Sequence, residues 1–254
     1  MATATVKGGP KSGAPSAPRQ SSVWRRIWKT LLWLFLAMFL ALLLYEGSIY
    51  ARVWWWNTHN PSSTSFMDQR FAAAREKNPK AVLTQQWVPY ARISGNLKLA
   101  VIAAEDTAFV EHEGFDWKGI EEAMKKNQKK GKIVAGGSTI TQQLAKNLFL
   151  SGERSYIRKG QEAVITWMIE DRMEKDRILE IYLNVVEWGN EIFGAEAAAR
   201  HYFGVSASQL SREQSARLAA MLPNPRFYDK NRNAPYMLRR SSVILMRMNQ
   251  VEAP

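Results

Sequence analysis

The chain has 254 residues, with 35 Lys and Arg against 23 Asp and Glu, ten Trp and no Cys. That length suits one compact domain plus a tail. The absence of Cys excludes disulfides, thiol nucleophiles and Cys-ligated zinc or iron–sulfur centres, though it fixes no compartment.

The first thirty residues carry Lys7, Lys11, Arg19, Arg25, Arg26 and Lys29 and no acid. Their Gly, Pro, Ser and Ala cannot build a core, so residues 1–22 read as a disordered cytoplasmic tail. TLLWLFLAMFLALLLY, residues 30–45, then runs without a charge, and only Glu46 interrupts it before Arg52. A helix crosses a bilayer with roughly 20 apolar residues, and residues 23–52 supply them as a transmembrane signal-anchor. Trp24 and Trp28 on one side, and Tyr50 with Trp54–Trp56 on the other, resemble interfacial aromatic belts. Positive charge ahead of the span predicts an N-terminus left in the cytoplasm and an exported remainder at residues 57–254. A cleaved signal peptide is the competing reading, but its apolar core runs only about 7–15 residues before a small-x-small site, and no clean site follows here.

Residues 53–254 hold 28 basic and 22 acidic side chains, a net charge of +6. A basic domain tethered at a membrane favours lipid headgroups and phosphates, and the tether argues against nucleic acid. Residues 57–96 are mixed, with Pro61, Pro79 and Pro89 and an extended-looking VLTQQWVPYARIS. From residue 90 to 222 there is no proline. Periodicity predicts helices at 97–110, 116–127, 138–149, 155–174, 176–186, 194–203, 208–221 and 234–250. In the fourth of these, Ile157, Val164, Ile165, Met168 and Ile169 mark the expected apolar face. The domain reads as mostly α. KKNQKKGKIVAGG, residues 125–137, reads either as a solvated loop or as a lid or headgroup-contacting segment.

Three stretches could carry chemistry. In AAEDTAFVEHEG, residues 103–114, helical spacing would align Glu105, Phe109 and His112 on one face, with Asp106 turned away. In GGSTITQQLAKN, residues 136–147, Ser138 or Thr139 suits an N-cap, and Ile140, Leu144 and Leu148 form the buried stripe. Thr139, Gln142, Gln143 and Lys146 lie on the other side. The Gly-Gly start is either an anion site at a helix N-terminus or an ordinary capped surface helix. In GERSYIRKGQEAVITWMIE, residues 152–170, Arg154, Arg158 and Glu162 share a stripe with Lys159 beside it. Glu162 borders the apolar face, where it is either a partly desolvated carboxylate or half of a surface ion pair. Two carboxylates on a helical scaffold suit chemistry at an anomeric carbon, and a cationic cluster beside them suits a pyrophosphate leaving group.

EDTAFVEHEG (105–114), GGSTITQQLAKN (136–147), RKGQE (158–162) and DRILEIYLN (176–184) resemble, in order and spacing, the successive motifs of the peptidoglycan glycosyltransferases, family 51 of the glycosyltransferases. The resemblance spans roughly residues 95–230. It implies a helical, bilobed fold, with a lysozyme-like head and a membrane-proximal jaw, in a bacterial inner membrane protein. No Ser-x-x-Lys occurs, so the expected member is monofunctional, without a transpeptidase. The implied reaction is glycan polymerisation from lipid II and a lipid-linked chain. Glu105 matches the catalytic base that takes the proton of the GlcNAc 4-hydroxyl. Glu162 matches a second essential carboxylate. Lys146, Arg154, Arg158 and Lys159 match positions that neutralise pyrophosphate, and Phe109, His112, Ser138, Thr139, Gln142 and Gln143 match cleft-lining positions. DRILEIYLN, with Glu180 and Asn184, is expected to be a structural helix behind the cleft. The resemblance implies no obligatory cofactor. It is compatible with Mg²⁺ or Mn²⁺ held by pyrophosphate and a carboxylate, and with partners in cell-wall synthesis or division. No metal-ligand motif is visible, since His59, His112 and His201 are far apart in sequence. A lytic enzyme acting on finished glycan and a non-catalytic assembly partner are the rival readings. The first needs no cation cluster, and the second needs no complete set of carboxylates and cations.

Overall fold

The structure is a computed structural model that describes residues 1, 3, 8–9, 20–132, 136–152 and 155–254. Most of the expected tail 1–22 lies outside the described residues, as does Arg154. The chain falls into two compact units, Met1–Gly47 and Ser48–Pro254.

Helix α1 runs from Gln20 to Trp56, 37 residues. At 1.5 Å per residue it is about 55 Å long, against a hydrocarbon core of about 30 Å. Residues Val23–Trp56 are long and apolar enough to cross a membrane. The unit boundary falls inside this helix, so its last turns belong to the second unit. Ile49 and Val53 are fully buried in the second unit's core. The Tyr50 hydroxyl donates to Asp171 (2.9 Å), and Arg177 Nη2 donates to the Trp56 carbonyl (2.8 Å).

The second unit is mostly helical, as expected. Its helices are α2 (Ser65–Lys77), α3 (Gly95–Glu105), α4 (Trp117–Lys130), α5 (Ile140–Phe149), α6 (Tyr156–Arg172), α7 (Lys175–Val185), α8 (Ala195–Phe203), α9 (Arg212–Met221), α10 (Pro225–Lys230) and α11 (Pro235–Arg247). A small sheet of β1 (Thr84–Gln85), β2 (Glu187–Gly189) and β3 (Ile192–Phe193) has the order β1-β3-β2. β1 pairs parallel and β2 antiparallel to β3, the latter with a register shift between Glu187 and Gly189. Helix α5 sits centrally, packed against α2, α6 and α7, while α3 packs against α9 and α11.

Four local expectations change. First, α3 ends at Glu105 rather than near 110, so Glu105, Phe109 and His112 share no helical face. Asp106 stops the helix because its carboxylate is committed elsewhere: Oδ2 accepts from the Ile140 amide and Oδ1 from His112 Nε2, each at 2.9 Å. Second, the buried face of α6 passes through Glu162, Ile165, Thr166 and Ile169, while Ile157 (88% exposed) and Val164 (43%) face outward. Third, Lys125–Lys130 close α4 rather than open a loop, and Gly131 caps it at φ 63°. Ile133–Ala135, the middle of the expected lid, lie outside the described residues. Fourth, α2 forms in the mixed stretch, capped by the Thr64 side chain on the Met67 amide.

Two glycines fix close approaches. Gly194 (φ +81°) begins α8 where a Cβ would sit 2.7 Å from the Asn184 carbonyl oxygen. Gly114 (φ +83°) carries the loop after α3 over α6, where a Cβ would come within 2.8 Å of Thr166 Cγ2.

Candidate active site

Glu105 is the last residue of α3, and its two carboxylate oxygens have different donors. Oε2 accepts from Gln143 Nε2 on α5, and Oε1 accepts from Arg240 Nη2 on α11, each at 3.0 Å. Arg240 also donates to the Ala104 carbonyl (3.1 Å), satisfying one of the acceptors that a helix C-terminus leaves open. Burial pushes the Glu105 carboxyl above the usual carboxylate range, and the Gln143 hydrogen bond, Arg240 and Lys146 only partly offset it.

Helix α5 presents its polar residues inward. Thr139 caps it in a reciprocal box: its hydroxyl accepts from the Gln142 amide (3.2 Å), and Gln142 Oε1 accepts from the Thr139 amide (3.1 Å). The Thr139 hydroxyl also donates to the Gly114 carbonyl (2.7 Å). With Asp106 on the Ile140 amide, this helix start is engaged internally, so the free anion site expected from its Gly-Gly does not form there. The ordinary surface-helix alternative fails as well, because Thr139 and Gln142 are only 2% and 4% exposed.

Glu162 is 3% exposed. Arg158 Nη1 donates to its Oε2 (2.8 Å) and Lys159 Nζ to its Oε1, so each oxygen meets a cation. This is an ion triad around a buried carboxylate, with Lys159 reaching in from the surface, rather than a surface pair. Lys146 stands near it, and burial lowers its ammonium below the usual lysine range, with Arg158 and Lys159 adding to that and Glu162 opposing it.

Two cavities meet at Ser138. The smaller, about 200 Å³, is lined by Glu105, Thr107, Asp116, Gly137, Ser138 and Arg247 among others. The larger, about 800 Å³, is walled by Ser138, Gln142, Gln143, Lys146, Arg158, Lys159 and Glu162. Gln143 therefore links them, lining one and binding the carboxylate of the other.

A family model described as transglycosylase matches residues 73–249. The chain belongs to the transglycosylase family. Relatives named biosynthetic peptidoglycan transglycosylase are 61% identical in Herminiimonas arsenicoxydans over 89% of this chain and 98% of the relative. The one in Methylobacillus flagellatus is 59% identical over 89% and 99%, and the one in Nitrosospira multiformis is 57% identical over 87% and 96%. The second unit is thus a lysozyme-like transglycosylase domain.

Within the transglycosylase domain the structure places most of the expected site residues around the two cavities. Among the described residues, Phe109 and His112 are the exceptions. Phe109 is fully buried in the core with Lys175 Nζ 4.8 Å from its ring centre, and His112 is turned onto Asp106. They brace the helix end that carries Glu105. Glu180 and Asn184 are structural as expected: Asn184 exchanges hydrogen bonds with the Val88 backbone (2.8 and 2.9 Å), and Glu180 accepts from Trp87 Nε1 (3.2 Å). Arg240 escapes sequence reasoning. It lies 135 residues from Glu105, and nothing in the spacing around Arg239-Arg240 marks one of them as a carboxylate partner.

Proposed function

We propose that this transglycosylase polymerises peptidoglycan glycan from lipid II. The acceptor's GlcNAc 4-hydroxyl lies in the smaller cavity and gives its proton to the Glu105 carboxylate. The freed oxygen bonds to C1 of the lipid-linked chain's terminal MurNAc, on the face opposite the leaving group. The C1–oxygen bond breaks, its electron pair goes to undecaprenyl pyrophosphate, and α configuration becomes β-1,4. Lys146, Arg158 and Lys159 stabilise the charge that develops on the departing pyrophosphate, with Arg154 assigned to the same role from its motif position. Glu162 holds Arg158 and Lys159 in place through one hydrogen bond to each.

The observation that carries this reading is the partly buried Glu105 carboxylate, one hydrogen bond from the wall of a cation-lined cavity. A lytic enzyme has no use for three cations beside its acid. No metal is assigned a step. Among the described residues no group of three or more His, Cys, Asp or Glu could hold one. A divalent ion on Glu162 would have to displace Arg158 or Lys159. The α1 span sets the topology we infer: a cytoplasmic N-terminus, one pass through the inner membrane and a periplasmic catalytic domain, where cell-wall synthesis or division proteins are its neighbours.

Purified full-length protein mixed with lipid II in detergent micelles tests the reading. Polymer that lysozyme digests is the expected product. Lipid II left intact, or preformed glycan cleaved instead, overturns it.

A further inference from the structure

The motif DRILEIYLN contains a residue that packing behind the cleft does not account for. Tyr182 is fully buried on α7, yet its hydroxyl reaches Gln143 Oε1 at 3.0 Å. Gln143 in turn donates through Nε2 to Glu105 Oε2 at 3.0 Å. An amide can present either end to a neighbour, and the identities of the two neighbours decide which. An ionised carboxylate only accepts, so the amide nitrogen must face Glu105 and its oxygen must face Tyr182. The hydroxyl then acts as donor. Burial and the nearby Glu105 and Asp106 raise the phenol well above its ordinary range, so it keeps its proton wherever the enzyme works.

We propose that Tyr182 is a positioning residue for proton transfer at Glu105, fixing the Gln143 amide so that its N–H side always faces the base. The inference rests on the reading of Glu105 as base. Hydrogen bonds in series polarise one another, so the Tyr182 hydroxyl also strengthens the donor that Gln143 offers. Its effect is to hold down a basicity that burial alone would raise too far. The other charged groups facing Glu105 are Arg240 from α11, Lys146 from α5 and Asp106 at its own helix end, with Asp116 and Arg247 on the rim of the smaller cavity. Tyr182→Phe leaves all of them in place and removes one oxygen.

The test is the pH profile of kcat/KM for lipid II polymerisation by the full-length protein. Tyr182→Phe is expected to move the acid limb upward by about half a pH unit, so that the rate below the limb falls about threefold and the deficit shrinks toward alkaline pH. In a Gln143→Ala background the same substitution should move the limb no further, because Tyr182 acts only through that amide. The titration midpoint of the Glu105 carboxyl, followed by its ¹³C shift without substrate, should move by the same amount, which separates this inference from the reaction itself. A melting temperature that drops while limb and carboxyl titration stay fixed would reduce Tyr182 to packing and overturn the proposal. Additive shifts in the double variant would overturn it too. Should Tyr182→Phe not fold, 3-fluorotyrosine placed at position 182 keeps the shape and makes the hydroxyl a stronger donor to Gln143. Its acid limb must then move down, and a limb left in place sinks the idea.

Discussion

Glu105 is a partly buried and Glu162 a buried carboxylate, both on helices, and their partners make them opposite in kind. Glu162 meets a cation at each oxygen, Arg158 at 2.8 Å and Lys159 at the other. Glu105 meets a neutral amide at one oxygen and a guanidinium at the other. A carboxylate that burial pushes above its usual range, with Gln143, Arg240 and Lys146 only partly offsetting it, is poised to accept a proton. Two identical groups become a fixed counter-charge and a base through their neighbours alone.

Replacing Glu105 should break the comparison most completely. Glu105→Gln removes the base while preserving shape, and polymerisation should fall by about 10³-fold or more in a lipid II assay. Its stability should not fall with it. A carboxyl whose folded-state pKa is raised contributes stability at low pH that is lost as pH rises through that folded value, so at neutral pH the ionised group is a burden. Thermal unfolding at pH 7 should therefore show Glu105→Gln at least as stable as the wild type. Activity runs the other way, since the base must be ionised. The acid limb of the wild-type kcat/KM profile should lie above the ordinary carboxylate range.

Glu162→Gln should do the reverse, costing stability as well as rate. It strands Arg158, whose Nε already lacks a partner in the interior, beside Lys159. Breaking a buried pair costs about 3–5 kcal/mol, and the half-exposed Lys159 lowers this to about 2–3 kcal/mol here. A melting temperature lower by about 5–10 °C would follow. Activity should fall about 10²-fold, because the two cations are no longer held toward the larger cavity. An unchanged melting temperature would show that Glu162 is not the counter-charge described.

How far this contrast can be read from sequence depends on distance along the chain. Arg158, Lys159 and Glu162 lie within one helical turn and a half, so their spacing alone groups them. The Thr139 and Gln142 box is equally local, and the Ile140–Leu144–Leu148 stripe is buried as its period predicts. Glu105's partners are not local: Gln143 is 38 residues away and Arg240 is 135. No periodicity encodes such pairings, which arise when α3, α5 and α11 pack. Extending α3 through Phe109 followed from the same limit, because the groups that stop it at Asp106, the Ile140 amide and His112, include one 34 residues away. The strands, two or three residues each, are too short for alternation to show. Ile157 and Val164 mislead because they fit the helical period while Glu162, a charge, occupies the buried stripe.

Arg240→Gln sharpens the difference rather than breaking it. The substitution removes the one cation bonded to Glu105 and leaves the Gln143 donor in place. With less to offset burial, the carboxyl pKa rises further and the acid limb of kcat/KM should shift upward by about one pH unit. At a pH below the wild-type limb this reads as a rate about tenfold lower, recovering as pH increases. Arg240→Lys should recover part of the shift through charge, with a point charge in place of the planar guanidinium whose Nη2 reaches both Glu105 and the Ala104 carbonyl. A limb unmoved by either variant would leave the two carboxylates less distinct than the geometry makes them.

The smallest effect should come from Thr139, because its helix serves both sites equally. Thr139→Ala removes the cap on the Gln142 amide and strands the Gly114 carbonyl, which receives the hydroxyl proton at 2.7 Å. A lost N-cap costs about 1 kcal/mol, and the unsatisfied buried acceptor adds about as much again. The melting temperature should fall by about 4–8 °C. Activity at 25 °C should drop only a few-fold, with the acid limb unmoved, since Gln143 and Lys146 ride on the same turns of α5 and shift together. Thr139→Ser keeps the hydroxyl and should restore most of the stability. A selective loss at one carboxylate, seen as a displaced acid limb, would mean that the start of α5 orients Gln143 independently of Lys146, and the two sites would then be less evenly coupled through that helix than its single cap implies.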